Sequence, residues 1–318
     1  MLCVMRQWKI SAGTAGVLGK KTMKSYVLPT TAYIMLGEGC RNHCQFCSQS
    51  SNSMAKKKLL SRVTWPAFEA EEVSKSVATA YAKGDIKRIC LQVVNGEASW
   101  DNTLDSLKML RAGEGKPICV SSYFKHVHQA KELIDAGAEK VCIALDGATP
   151  AIYEQAKQGN WQERWSLLTE CAAALPGKIT THLIVGLGET EEEMVERIAQ
   201  CMQRGIGVGL FSFTPIPGTP WAHRMPPSIG HYRRVQIAYQ LLQKGYGVDV
   251  IQYKDGRIIH FHVPDLQRLL ASGNAFETKG CPDCNRPYYN ESPGGVMYNY
   301  PRKLTAHEVK QAMQESLS

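Results

Sequence analysis

The sequence predicts an α/β protein whose core is a parallel sheet of six strand–helix units, either curled or open. The first observation is alternation: short apolar runs typical of buried strands alternate with longer stretches that carry the apolar spacing of amphipathic helices. The second is a set of helix-ending glycines, Gly84, Gly137 and Gly205, each directly after a helical stretch. The third is Thr190, which precedes three glutamates and so has the form of a helix N-cap with acids in the first turn.

Six strands are predicted, at Thr31–Leu36, Arg88–Val94, Pro117–Ser121, Lys140–Leu145, Ile179–Val185 and Val208–Phe213. Five helices are predicted between them, at Ala67–Lys83, Leu104–Arg111, Val127–Ala136, Trp161–Ala174 and Thr190–Arg204. The glycine-rich stretch 11–22 fails the pattern of a phosphate-binding loop, because it has Thr14 and Lys21 where that pattern needs Gly and a hydroxyl residue. We therefore predict an N-terminal turn or short helix there.

Composition limits the class of protein. With 318 residues, 44% of them hydrophobic, the chain is long enough for one large α/β domain or two smaller ones. The first ten residues lack the apolar core of a signal peptide, and no apolar run approaches the roughly 20 residues that span a bilayer. Eleven cysteines, an odd number, favour metal chemistry in a reducing cytoplasm over a disulfide framework. We expect a cytoplasmic protein without a membrane segment.

The formal net charge is +8, but the basic residues are scattered along the chain. The exception is Lys56–Lys58 with Arg62, which we interpret as a solvated loop because runs of charge are usually solvated. If this cluster has a function, an acidic partner protein and a polynucleotide are equally compatible with it.

Three cysteines follow the first strand at the spacing C-x3-C-x2-C: Cys40, Cys44 and Cys47. Three thiolates can hold three irons of a 4Fe-4S cluster and leave the fourth iron without a protein ligand. Closed clusters and closed zinc sites both take four protein ligands. The loop therefore predicts a metal centre with one open position, and a zinc loop is the alternative.

This spacing resembles the signature of the radical S-adenosylmethionine (SAM) superfamily, and Phe46 matches the aromatic residue usual before the third cysteine. In that family SAM chelates the open iron, and its reductive cleavage releases a 5'-deoxyadenosyl radical. The resemblance implies a partial (βα)6 barrel of the TIM type, with its active site at the C-terminal ends of the strands. It divides the chain into an N-terminal extension (1–29), a barrel core (30–225), and C-terminal helices with a cysteine-bearing tail that closes the barrel (226–318).

The resemblance also implies that SAM is bound by the turns that follow the second, fourth, fifth and sixth strands. The residues concerned are Phe46 in the cysteine loop and, in these turns, Gly96, Glu97, Asp146, Gly186, Gly188, Glu189 and Pro215. A lone G-x-G is weak evidence. The support comes from the order of the four turns, since each stands at a predicted strand end.

A second set of cysteines offers another metal site. Cys281 and Cys284 form a C-x2-C pair in a polar, proline-rich segment, which is typical of a metal knuckle. With Cys90 and Cys119 on the second and third strands they would supply four thiolates for a second 4Fe-4S cluster, which we expect inside the barrel mouth. Cys3 is a competing ligand, and half a zinc site is the alternative for the knuckle.

Within the superfamily, the chain resembles a biotin-synthase-like group, the two-component lipoyl synthases of archaea and some bacteria. The matching segments are 11–15, 17–19, 29–33, 281–284 and 299–302. Biotin synthase holds its sulfur-donating cluster with cysteines at the positions of Cys90 and Cys119 and a third on the fifth strand, where this chain has Thr180. The chain also lacks the N-terminal C-x4-C-x5-C of single-chain lipoyl synthases.

The resemblance implies insertion of sulfur at C6 or C8 of an octanoyl chain carried on a protein lysine, with the second cluster as sulfur donor. The expected partners are an octanoylated lipoyl domain or glycine-cleavage H protein, a homologous second radical SAM protein, and an electron donor such as ferredoxin or flavodoxin, with neither nucleic acid nor membrane. The alternatives are biotin formation or another radical SAM reaction on a small molecule, and a zinc-binding or nucleic-acid-binding module without catalysis.

Overall fold

The computed structural model describes residues 6–23, 25, 27–111, 115–292 and 294–318. Cys3 therefore lies outside the described residues. In chain order the elements are β1 (Gln7–Ile10), α1 (Ala12–Val17), β2 (Thr31–Leu36), β3 (Leu59–Leu60), β4 (Val63–Thr64), β5 (Ala67–Glu69), α2 (Ala70–Ala82), β6 (Arg88–Val93), α3 (Ser99–Arg111), β7 (Ile118–Ser121), α4 (Val127–Asp135), β8 (Lys140–Cys142), α5 (Pro150–Lys157), α6 (Trp161–Ala174), β9 (Ile179–Val185), α7 (Glu191–Gln203), β10 (Gly207–Ser212), α8 (Ile229–Gln243), β11 (Ile251–Lys254), β12 (Arg257–Phe261), α9 (Leu266–Leu270) and α10 (Ala306–Glu315).

The central sheet is mostly parallel and has the order β10-β9-β8-β7-β6-β2-β1-β5. Within the described residues, six strands run parallel in their chain order: β2, β6, β7, β8, β9 and β10. Beyond β2 the sheet continues with β1 and then β5, both in antiparallel pairing. Helices connect successive parallel strands, as parallel pairing requires. The predicted α/β partial barrel is confirmed.

The predicted parallel strands and their intervening helices are all present, and most boundaries differ by a few residues. β2, β9 and α6 have the predicted bounds. β8 is shorter than predicted because regular pairing ends at Cys142, although Asp146 pairs once more with Leu183. Thr190 caps α7 in a capping box with Glu193, as its sequence position predicts.

Other elements were not predicted. The short strand β1 buries Trp8 and Ile10, yet four residues give too little periodicity to be recognised. α5 was missed because it follows the short β8 closely and precedes α6 after only a short turn. Among the described residues, no helix combines the length and the apolar character needed to cross a membrane.

The C-terminal tail crosses the gap between the first and last strands of the parallel set, β2 and β10. At one end Asn285 accepts a hydrogen bond from the Thr30 backbone N–H (3.0 Å), next to β2. At the other end Arg286 donates to the Leu210 carbonyl (3.1 Å) in β10. Asn290 donates to the Ser212 carbonyl (2.7 Å) at the end of that strand.

The division of the chain into an N-terminal extension, a barrel core and a C-terminal segment, with boundaries near residues 30 and 225, remains a prediction.

A buried ion pair fixes α8 on α7. Arg234 donates from Nε to both carboxylate oxygens of Glu191 (3.1 and 3.0 Å) and from Nη2 to one of them (2.7 Å). The Ile258 backbone N–H also donates to this carboxylate (2.8 Å), which ties the β11–β12 hairpin to the same point. Both side chains of the pair are almost fully buried.

We predict that Arg234→Met lowers the free energy of unfolding by about 3–5 kcal/mol, because it leaves the Glu191 carboxylate buried without its cation. Guanidinium unfolding of the cluster-free protein measures the change. The control is Arg302→Met, which breaks a partly exposed pair with Glu308 and should cost no more than about 1 kcal/mol. Equal effects of the two substitutions would contradict the prediction.

Candidate active site

The cysteine loop 40–47 follows β2 and is held by backbone hydrogen bonds to other elements. The Gln45 N–H donates to the Ala156 carbonyl in α5 (2.8 Å). The Trp221 N–H donates to the Gln45 carbonyl (3.0 Å), which ties the loop to the segment after β10. The loop has no regular secondary structure, so these contacts define its position over the strand ends.

The loop forms one wall of a cavity of about 830 Å³ at the C-terminal ends of the parallel strands. Cys40, Cys44 and Cys47 all line it. Cys44 is buried, whereas the other two are partly exposed. Burial raises the pKa of Cys44 and raises that of Cys47 to about 12. A bound cation is therefore needed for these thiols to ionise at neutral pH.

Among the described residues, no three His, Cys, Asp or Glu side chains are grouped as ligands of a single metal ion. A tetrahedral zinc site needs its sulfurs within roughly 4 Å of one another, given a Zn–S bond of about 2.3 Å. A four-iron cluster is larger and spreads its thiolates further apart. Three thiols on one loop facing one cavity fit such a cluster by their chemistry, with one iron left to another ligand.

Asp146 and Lys157 form an ion pair in the cavity wall. Asp146 follows β8 in a left-handed conformation (φ +64°), which is uncommon for a residue other than glycine. Burial opposes the charge of Lys157, but Asp146, Cys44 and Tyr153 together outweigh it and raise the lysine pKa. The same ammonium group partly offsets the raised pKa of Cys44. Lys157 was missed from sequence because it ends the unpredicted α5.

Arg164 on α6 is the second residue that sequence reasoning missed. It is only 6% exposed and lines the cavity. Nη1 donates to the Phe124 carbonyl (3.0 Å), and the guanidinium stacks over the Tyr123 ring. Within the described part of the chain, no carboxylate pairs with it, and its remaining N–H groups find no acceptor. A buried cation without a counter-ion is costly, so the wall is complementary to an anionic ligand group.

His182 on β9 points into the cavity and packs edge-on against Phe211. Burial lowers its pKa to about 4, and the positive charges of Arg286 and Lys157 act in the same direction. The imidazole is therefore neutral at physiological pH. It offers the cavity one hydrogen-bond donor and one acceptor.

Of the residues predicted to bind SAM, Phe46 and Asp146 line the cavity. Gly96 and Glu97 lie in the adjacent turn after β6, where Asn95 lines the cavity instead. A side chain at position 96 would collide with the Glu38 carbonyl, since a Cβ there would lie 1.9 Å from that oxygen. The glycine thus allows two loops at the cavity edge to approach closely.

The conformation of the turn after β9 is explained by hydrogen bonds and packing within the protein. Glu189 accepts hydrogen bonds from the backbone N–H groups of Gly186 (2.6 Å) and Leu187 (3.0 Å), and burial raises its pKa to about 7. Gly186 is left-handed (φ +98°) and packs on Pro227. The neighbouring Ile184 lines the cavity, and after β10 Thr214 and Ile216 line it rather than Pro215. Assignment of these turns to SAM, including that of Gly188, remains a prediction.

The second set of cysteines comes together from three parts of the chain. Cys90 and Cys119 are register partners on β6 and β7, and the tail brings in Cys281 and Cys284. Cys119 Sγ lies 3.0 Å from Cys281 Sγ. This hydrogen bond, with the charges of Arg88 and Arg286, lowers the pKa of Cys281 to about 7. Thiolate is the form that binds metal.

The set lies directly below the cavity, and its assignment to a second cluster inside the barrel mouth remains a prediction. Cys90 is the third of the six residues of β6 and Cys119 the second of the four residues of β7, so the set lies about midway along the strands. Two residues of the cavity floor contact it: Tyr33 through a 3.3 Å hydrogen bond to Cys284, and Gln92 through a 3.0 Å donation to Cys90. Three further cysteines, Cys142, Cys171 and Cys201, are buried thiols outside both groups.

The protein-family model of the radical SAM superfamily matches residues 34–201, which is more than half of the chain. The chain is 28% identical over 192 residues to a biotin synthase from Schizosaccharomyces pombe, covering 57% of this chain and 50% of that protein. It is 23% identical over 185 residues to a lipoyl synthase from Parabacteroides distasonis, covering 56% of this chain and 62% of that protein. The chain spans about half the length of the biotin synthases that it matches.

Solved structures show the same fold at low sequence identity. The FeFe-hydrogenase maturase HydG from Carboxydothermus hydrogenoformans superposes with a TM-score of 0.54 at 16% identity, covering 90% of this chain and 66% of that chain. Methylornithine synthase superposes with a TM-score of 0.52 at 13% identity, covering 66% of this chain and 62% of that chain. Identities this low support the fold and nothing finer.

We predict that His182 makes folding sensitive to acid. Because its folded-state pKa of about 4 lies below the ordinary value of about 6.5, its contribution is intact above pH 6.5 and is lost as pH falls toward 4. Between pH 7 and 4.5 the unfolding free energy of wild type should fall about 2 kcal/mol more than that of His182→Gln. Urea unfolding of both cluster-free proteins measures this, and parallel losses would refute it.

Proposed function

This chain belongs to the radical SAM superfamily, and from that premise we propose that it inserts sulfur into a protein-bound octanoyl chain, as one component of a two-protein lipoyl synthase. Membership implies a 4Fe-4S cluster and SAM. The octanoyl substrate, the second cluster, the homologous partner and the ferredoxin-like or flavodoxin-like electron donor are parts of the proposal.

The observation that carries the proposal is the arrangement of two groups of thiols about one cavity. Cys40, Cys44 and Cys47 line its upper wall, and the second cysteine set lies beneath its floor. A radical SAM enzyme that only abstracts hydrogen needs the first group alone. Four further thiols near the same cavity support a second cluster that takes part in the reaction as a sulfur source.

The residues fit the groups they would hold. The open three-cysteine loop would bind the first cluster, and Cys90, Cys119, Cys281 and Cys284 the second. When bound, the first cluster and SAM supply a one-electron cleavage to methionine and a 5'-deoxyadenosyl radical that takes hydrogen from unactivated carbon, and the second cluster supplies sulfur. The unpaired guanidinium of Arg164 fits the carboxylate of SAM.

The protein's own part is to orient and to exclude water. The cavity is lined in part by apolar and aromatic side chains, such as Met35, Phe211 and Phe213, which suit a saturated acyl chain. The neutral His182 can hydrogen-bond a ligand amide without placing a charge beside the chain. Holding the chain within reach of both groups makes the reaction effectively intramolecular.

Biotin formation is the second candidate, because most of the similar curated proteins are biotin synthases. Against it stands Thr180, which occupies the strand-five position of the third cysteine of biotin synthase and lies level with Cys142 on β8. Cys281 and Cys284 of the tail lie beside Cys119 and Cys90, so the ligand that biotin synthase takes from strand five would here come from the tail.

The function is tested by anaerobic turnover of an octanoyl-lysyl peptide with SAM and a reductant, followed by mass spectrometry. We expect a product in which sulfur has been added to the acyl chain, and no product from Cys44→Ala. Parallel turnover of a biotin precursor tests the second candidate. Sulfur in the biotin precursor and an unmodified peptide would overturn the lipoyl proposal.

Iron analysis tests the sulfur source. Cys281→Ser/Cys284→Ser should lower the iron of the reconstituted protein from about eight to about four per chain, retain SAM cleavage and lose sulfur insertion. The matched control is Cys201→Ser, a buried thiol on α7 away from both groups, which should keep both clusters. About four irons in wild type, unchanged in the double variant, would rule out the sulfur-donor role.

We predict that Arg164→Met weakens SAM binding about tenfold or more, because it removes a desolvated charge-assisted contact. Arg164→Lys should recover part of the loss, since it retains the charge without the planar fork. Equilibrium binding of SAM to the reconstituted protein measures the dissociation constant. An unchanged constant in Arg164→Met would remove this residue from the SAM site.

A further inference from the structure

Acidic residues are missing from two segments of the chain, one that contains the cysteine loop and one that includes β10 and α8. Residues 39–68 contain five Lys or Arg and no Asp or Glu, and residues 205–248 also contain no Asp or Glu. The chain has 29 acidic residues among 318, so an even spread would place several in these segments. The basic cluster predicted to be a solvated loop is therefore part of a longer stretch without acids.

The structure places this charge beside the cavity. The loop after the cysteines packs on the segment after β10, with the Met54 N–H donating to the Gly218 carbonyl (2.8 Å). Arg41 and His43 are exposed and line the cavity opening. Gln49, which lines the cavity, donates to the Lys57 carbonyl (2.8 Å), so Lys56 and Lys58 lie beside the cavity wall. We call the exposed residues of this loop the rim patch: Arg41, His43, Met54, Lys56 and Lys58.

Lys57 is excluded from the rim patch because it has a structural role. Its ammonium donates to the carbonyls of Ser48 (3.2 Å), Ser50 (2.7 Å) and Ser53 (3.2 Å), and so holds the loop together. Lys56 and Lys58, on either side of it, are exposed. Among the residues that the structure describes, neither of them has a carboxylate within ion-pair distance.

Met54 adds an apolar contact to the charged surface. Its side chain is 91% exposed, the highest value among the exposed large hydrophobic residues of the described chain. Met225, on the segment that the loop packs against, is 82% exposed. Methionine is enriched in protein interfaces, where its flexible side chain adapts to a partner surface.

We propose that the rim patch is the docking surface for the acidic face of the carrier protein that presents the acyl-lysine to the cavity. The inference rests on the proposed function. Unpaired cations around an opening attract an acidic partner and accelerate encounter, and the exposed methionine supplies contact once it has docked. A polynucleotide is the less suitable partner, because residues 48–62 contain no aromatic side chain on which bases could stack.

The test compares two double charge reversals. Lys56→Glu/Lys58→Glu alters the rim patch, and Lys303→Glu/Lys310→Glu makes the same change in net charge at exposed positions near α10. The substrates are an octanoylated H protein and an octanoyl-lysyl peptide without charged flanks. We expect the rim variant to lose about tenfold or more in kcat/KM on the H protein, while turnover of the peptide stays unchanged. The control variant should retain both activities.

The outcomes separate the docking surface from the reaction. Equal kcat/KM of both variants on the H protein, with the peptide converted, would overturn the docking surface alone. No conversion of the peptide by wild type would overturn the proposed function itself. Met54→Asp provides a second variant of the same surface, and it should also lower kcat/KM on the H protein only. If wild type binds poly(U), and the rim variant loses that binding but keeps full activity on the H protein, the rim patch is a polynucleotide site instead.

Discussion

The six parallel strands seen here do not close on themselves, and the gap between β10 and the side of the barrel where β1 pairs with β2 must be filled for the interior to exclude water. Eight-stranded barrels close with their own strands. In this chain the tail crosses the gap and hydrogen-bonds to both sides, through Asn285 and Arg286. The tail enters beside the N-terminal end of β2 and reaches the C-terminal end of β10, so its two cysteines lie below the part of the tail that lines the cavity, Arg286, Tyr289 and Asn290.

The buried charged side chains differ in whether a partner of opposite charge lies beside them. Glu191 and Arg234 satisfy each other and hold α8 and the hairpin on α7. Asp146 and Lys157 also form a pair, although both lie in the cavity wall. In contrast, Arg164 is a buried cation that faces the cavity, and no described carboxylate pairs with it. Since desolvating an unpaired charge opposes folding, the cavity wall is complete only with a ligand that carries negative charge.

The sequence was sufficient for features that depend on neighbouring residues. Strand alternation, the Thr190 cap and the C-x3-C-x2-C spacing are all local, and the first two are confirmed. The pairing of Cys90 with Cys119 follows from equivalent positions on successive strands. What was missed depends on long-range packing. The tail contacts β2 across more than 250 residues of chain, and nothing in its composition states at which end of the barrel it lies. The roles of Lys157 and Arg164 depend on their burial beside the cavity, which the neighbouring sequence does not indicate.

The two groups of thiols lie at different depths of one interior, and the side chains between them decide how they communicate. Tyr33 and Gln92 line the cavity floor, and each also hydrogen-bonds a cysteine sulfur of the second set. A molecule bound in the cavity therefore contacts the same side chains that hold the lower sulfurs. Hydrogen bonds to sulfur influence the reduction potential of an iron–sulfur centre. We therefore expect cavity occupancy to influence the reduction potential of a cluster at the lower site through Tyr33 and Gln92.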